Sequence, residues 1–141
     1  MAVNAELSIA VDKLKALSTG RKIAAPAPDD ALLSEYEKDI GFVFSDEYKF
    51  FLKNASTIFF GTKEPLIATC AKKDRCELSA ALQEARQIGV PADWLPICED
   101  NGDYYCIVPG GQIRFWSHDG VTTESWQDLA DWIKDVWISG N

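Results

Sequence analysis

The stretch NGDYYCIVPGGQIRFWSHDG, residues 101–120, constrains the fold more than any other part of the chain. Asn101-Gly102 and Gly110-Gly111 supply the positive backbone dihedrals that tight hairpin turns demand. Aromatic and β-branched residues fill the intervals between these turns, as strands require. With the preceding WLPICE, the pattern predicts three antiparallel strands, and SHDG leads on to VTTE as a candidate fourth.

Two-residue loops at both turns would pair Ile97 with Cys106, Val108 with Ile113, and Cys106 with Phe115. Ile97, Tyr104, Cys106, Val108, Ile113 and Phe115 then share one uniformly apolar face, the expected core. Cys98, Asp103, Tyr105, Ile107, Arg114 and Trp116 share the other, which mixes rings with charge and reads as a rim beneath helices or as a binding face. The same register sends Cys98 and Cys106 to opposite faces, which forbids a disulfide between them.

Around this meander the spacing predicts helices. Leu7, Val11, Leu14 and Leu17 give residues 4–18 one apolar face, that of an N-terminal docking helix over 1–18. Gly20, Pro26 and Pro28 make 19–28 a connector. Asp29 or Asp30 caps a helix ending at Gly41, with Leu33, Tyr36 and Ile40 on one side. Ser45 caps a short helix with a stripe of Tyr48, Phe51 and Leu52. STIFFG and EPLIATC read as a pair of strands turning at Gly61 to Lys63. Residues 76–88 return to helical spacing through Leu78, Leu82, Ala85 and Ile88, and GVP stops them. Last, Ser125 with Asp128 resembles a capping box for a long C-terminal helix whose apolar face runs through Trp126, Leu129, Ala130, Ile133, Val136 and Trp137, leaving Trp132 off the stripe. The sum is an α+β fold, a single domain over 1–141 with a mostly antiparallel sheet and packed helices.

Chemistry is sparser. A net charge of -8, from 22 acidic and 14 basic residues, argues against binding nucleic acid through its phosphates and favours a basic partner. The N-terminus lacks the basic-then-apolar layout of a signal peptide and no run approaches about 18 apolar residues, so a cytoplasmic protein with no membrane partner is expected. Cys70, Cys76, Cys98 and Cys106 match no metal-binding spacing and are expected to stay reduced. His118, the only histidine, has no nucleophile or co-ligand at a telling distance in sequence and reads as a polar turn residue. EDNGD lacks the alternating ligands of a calcium loop. No P-loop, dinucleotide turn or nucleophile elbow is present. No metal, no cofactor and no enzymatic activity are expected.

The order of motifs resembles the SUKH superfamily. In LLSEYEKDIGFVFSDEYKFFLKNAS, residues Glu37, Ile40, Gly41, Tyr48, Phe51 and Leu52 fall on its opening pattern. WLPICEDNGDYYCIV is similar to its central signature, and IRFWSHDG followed by SWQDLADWI to its close, so the resemblance spans about residues 29–137. Phe44-Ser45 stands where the family has Leu-Pro, and Asn54-Ala55 where it has Asn-Gly. The resemblance implies a non-enzymatic α+β domain. Similar bacterial proteins act as immunity proteins, each neutralising a polymorphic toxin, often a nuclease, delivered by a neighbouring cell; eukaryotic relatives serve as scaffolds in cell-wall regulation. A cognate toxin domain of basic character is therefore the expected partner, with an interaction scaffold as the alternative. Partner contact is assigned to Glu99, Asp100, Asp103, Tyr105, Trp116 and Asp119. A third reading, a hydrolase using His118 with Cys98 or Cys106, requires those groups to converge.

Overall fold

A computed structural model describes residues 5–18, 28–58, 60–61, 63–69, 77–100, 102–120 and 122–139. Cys70, Cys76 and nearly all of the expected 19–28 connector lie outside these residues. Among the described residues, five helices and a five-stranded antiparallel sheet follow one another as α1 (Ala5–Ser18), α2 (Asp30–Ile40), α3 (Asp46–Asn54), β1 (Glu64–Pro65), α4 (Leu78–Ile88), β2 (Leu95–Asp100), β3 (Asp103–Ile107), β4 (Ile113–Trp116), β5 (Ser125–Trp126) and α5 (Leu129–Trp132). Helix α5 continues directly into a π-helical segment, Ile133–Ile138. Sheet order follows chain order, β1-β2-β3-β4-β5.

The short helices form where local signals are complete. Asp29 caps α2 by accepting from the Leu32 amide, and Ser45 caps α3 by accepting from Tyr48. Gly41 closes α2 with its amide on the Glu37 carbonyl at 3.0 Å. The Glu37 side chain then turns back, accepting from the Phe44 amide at 2.8 Å with Lys49 3.9 Å away, which fixes the loop between α2 and α3. Along α1, Leu7, Ala10, Val11 and Leu14 are buried, while Leu17 is exposed. The expected stripe thus ends one turn early.

The β2–β3 hairpin has the predicted two-residue loop, with Asp100 opposite Asp103 and Cys98 opposite Tyr105. A bulge between Pro96 and Cys98 then shifts the pairing by one, so Cys106 faces Pro96. Ile97 and Cys98 consequently both enter the larger core. Cys98 and Cys106 are buried in separate clusters, as the register required.

The next hairpin departs from expectation. Tyr105 pairs with Phe115 and Ile107 with Ile113, because the loop holds three residues, Pro109 to Gly111, closed by Val108 amide to Gln112 carbonyl at 2.9 Å. A two-residue loop would have made Pro109 a ladder donor, and proline has no N–H to give. Pro109 starts the turn instead, and Gly110 and Gly111 take φ of 102° and 92°. One residue of slip moves β4 to the other partners on β3. Tyr105, Ile113, Phe115 and Ile107 therefore pack in the larger core, and Tyr104 and Cys106 join Ala85, Val90, Trp94 and Trp116 in a smaller one on the opposite face.

Two other expectations are corrected. The described residues of STIFFG form no strand: Ser56 and Thr57 lie in a turn, Ile58 and Phe60 are single bridge residues, with Phe60 opposite Lys63, while EPLIATC contributes β1, paired with β2, and a bridge from Ile67 to Glu77. Ser125 is no helix cap, and Thr122 to Glu124, the described part of VTTE, form no strand. Ser125 and Trp126 pair with β4, and Asp128 caps α5 by accepting from Asp131 at 3.0 Å. Started at Leu129, the helical segment buries Leu129, Trp132, Ile133, Val136 and Trp137. Trp132 is fully buried against Phe51, Tyr105 and Trp137, whereas Trp126 is half-buried.

Candidate partner-binding surface

The hairpin turn at Gly102 and the Ser117–Gly120 turn lie at the same end of the sheet, because Tyr104 pairs with Trp116. Glu99, Asp100, Asp103 and Asp119 converge there. Each carboxylate has a local partner. Glu99 accepts from the Gly102 amide at 2.7 Å, so the EDNGD loop uses this carboxylate to hold its own turn. Asp100 lies 3.6 Å from the Lys63 ammonium. Asp103 accepts from the His118 amide at 3.0 Å and stands 2.6 Å from His118 Nδ1, with Asp119 3.4 Å from Nε2. The hydrogen bond to Asp103, together with the charges of Asp119 and Asp103, holds the exposed His118 above its ordinary 6.5.

The two aromatic members of the expected set do not join these acids. Tyr105 is buried by Phe115, Trp126 and Trp132, at centroid distances of 4.9, 5.6 and 5.5 Å. It is a core residue, and the slip at Pro109 is the reason. Trp116 keeps its place on the mixed face, half-buried beside Trp94. There Arg114 stacks over Trp94 at 5.6 Å and donates to the Thr122 carbonyl at 3.3 Å. Trp94, Arg114, Trp116 and His118 line a shallow hollow. Trp94 opens the WLPICE stretch but stands one residue ahead of β2, outside the alternation from Ile97 onward that assigns the strand faces.

Among the described residues, His118 does not meet a thiol. Its two nitrogens face Asp103 and Asp119, Cys98 is buried in the larger core, and Cys106 is buried on the other face with its thiol pushed up to about 12 by burial. A thiol in that state is neither nucleophile nor ligand at neutral pH. Among the described residues, no three His, Cys, Asp or Glu residues are placed to hold a metal, and no helix is long and apolar enough to cross a membrane.

Residues 8–138 match the SUKH_5 family model, described as SMI1-KNR4 cell-wall. The chain belongs to the SUKH superfamily. The match takes in α1 from residue 8 onward, which agrees with that helix packing on α3, α5 and the π-helical segment. This SUKH domain is also similar to a crystal structure of a protein from Pseudomonas syringae pv. tomato, with TM-score 0.84 and 30% identity over 94% of this chain and 98% of that one. No curated protein matches it.

Proposed function

We propose that this SUKH protein is an immunity protein, which binds and neutralises a cognate toxin domain by protein–protein contact and performs no catalysis. The family match over residues 8–138 carries the reading, since bacterial proteins of this kind are associated with toxin immunity. The excess of 22 acidic over 14 basic residues favours a basic toxin, such as the nucleases that similar proteins often neutralise. A cell-wall scaffold is the second reading, favoured by the family's own description.

Affinity separates the two. Suppression of a lethal activity favours nanomolar binding, about -12 kcal/mol, while a scaffold works at far weaker affinity. The test is capture of the partner from the native cell, then survival of cells expressing the captured polypeptide with and without this protein. Protection supports immunity, and tight binding without protection sinks it. In the supporting case, association should slow as salt rises, with dissociation less affected.

A further inference from the structure

The opposite end of the sheet holds a second concavity. The loop between α2 and α3, the Pro109–Gly111 loop and the start of α5 enclose a cleft of about 300 Å³. Phe42, Val43, Leu95, Ile107 and Pro109 form apolar walls, and Glu47, Asp93 and Asp128 supply the charge. Among the described residues no lysine or arginine lines it. Arg86, which lies over the Phe42 ring at 6.0 Å, forms no ion pair with these acids.

Three observations favour a ligand at this cleft. Glu47 Oε2 is buried without a hydrogen-bond partner. Tyr48, a fully buried lining residue, has a hydroxyl that is likewise unpartnered. Val43, at the rim, is 93% exposed, the most exposed large hydrophobic side chain among the described residues. Orphaned buried oxygens cost stability, so they favour any ligand that brings donors. Burial, with the Asp128 charge added, also holds the Glu47 carboxyl above its ordinary range. A cation between the two acids would relieve both effects, whereas an anion would face three carboxylates. The positive end of α3 offsets these by only roughly half a charge.

We propose that this cleft is the anchor site for an arginine side chain of the partner protein, its guanidinium between Glu47 and Asp128 and its stem along Val43, Ile107 and Pro109. Arginine fits better than lysine. Its planar head brings five N–H donors, enough for Glu47 Oε2 and Asp128 together, and it is the more weakly hydrated cation. Apolar walls around a desolvated charge also match what interface hot spots require. As a description of the natural partner, the proposal rests on the binding role given above; as a guanidinium site, it can be tested alone.

The probe is the tripeptide N-acetyl-Leu-Arg-Leu-amide, titrated into the isotope-labelled full chain and followed by amide NMR, with citrulline replacing arginine as the control. Saturable shifts confined to residues 42–48, 107–111 and 128–129, with a Kd of about 1 mM or tighter, are expected. Glu47→Gln should weaken binding about fivefold or more, and Asp128→Asn, which keeps the helix cap, should also weaken it. Glu99→Gln, at the other end of the sheet, should leave it unchanged. Equal binding of the citrulline peptide, shifts spread over the Glu99–Asp119 end, or no saturation by about 10 mM would overturn the proposal. Protection without peptide binding would reject the cleft and keep immunity; peptide binding without protection would do the reverse.

Discussion

Two glutamates at helix N-termini show opposite solutions to the same problem. Glu77 caps α4 and is buried, yet Tyr36, Ser79 and the amides of Ser79 and Ala80 all donate to it, Tyr36 at 2.5 Å. Burial alone would raise its carboxyl, but these hydrogen bonds outweigh burial and hold it below the ordinary 4.5. Glu47, in the first turn of α3, has burial and the Asp128 charge against it, nothing on its inner oxygen, and a carboxyl raised above 4.5. A carboxylate whose partners are internal holds the fold together. One left without them is open to a partner from outside, at some expense in stability.

The largest effect expected concerns the frame that carries the cleft's second acid. Trp132→Ala removes the ring that fixes α5, and therefore Asp128, against Phe51 and Tyr105. It should cost about 3–5 kcal/mol, appreciably more than Trp126→Ala. Denaturant midpoints decide this: equal losses at the two positions would show that burial does not rank them.

That ranking reverses what the sequence pattern alone implies, and the reversal shows where pattern reading fails. Caps are local, so α2 and α3 could be delimited from Asp29, Gly41 and Ser45 without knowing anything else about the fold. Trp132 was misplaced because Ser125 imitates a cap. Phased from residue 126 the stripe misses position 132, but phased from Leu129 it includes 132, 133, 136 and 137. The β4 face was lost to a single proline. Glu47 and Asp128 come from distant segments, and no spacing rule connects them; only the folded chain brings them to one cleft.

Next in size is the Glu77 seam. Glu77→Gln replaces an acceptor of several donors by a group that is itself half donor, and should cost about 1–3 kcal/mol at neutral pH. Tyr36→Phe, which removes the hydroxyl that donates to Glu77 and accepts from the Thr69 amide, should cost somewhat less, about 1–2 kcal/mol. If either change is neutral, the satisfied half of the comparison fails.

Acid sharpens the contrast, because the two glutamates titrate in opposite senses. The folded pKa of Glu77 is depressed, so its contribution is present above 4.5 and lost as pH falls through the folded value. That of Glu47 is raised, so its penalty is present above the folded value and disappears as pH falls from there towards 4.5. Glu47→Gln should therefore leave stability at neutral pH unchanged or slightly higher, with the mild-acid component gone, while Glu77→Gln should flatten the steeper loss below 4.5. A clear loss of stability at pH 7 on Glu47→Gln would mean that its carboxylate is satisfied after all.

The smallest effect is expected at the far end of the sheet, where charges are paired but exposed. His118 is held above 6.5 first by its hydrogen bond to Asp103, then by the charges of Asp119 and Asp103. A raised histidine contributes stability that is complete below 6.5 and fades as pH rises through the folded value. Solvent screens this pair, so stability itself should hardly change. The titration midpoint is the sensitive readout. Followed by NMR of the imidazole, it should lie above 6.5 in the wild type, fall most of the way back in Asp103→Asn, and fall less in Asp119→Asn, whose carboxylate stands 3.4 Å from Nε2. Should Asp119→Asn shift the midpoint more than Asp103→Asn, the Asp103 hydrogen bond would not be the dominant link. The two turns would then be joined by diffuse charge alone, and the acids at this end would resemble Glu47 in lacking a committed internal partner.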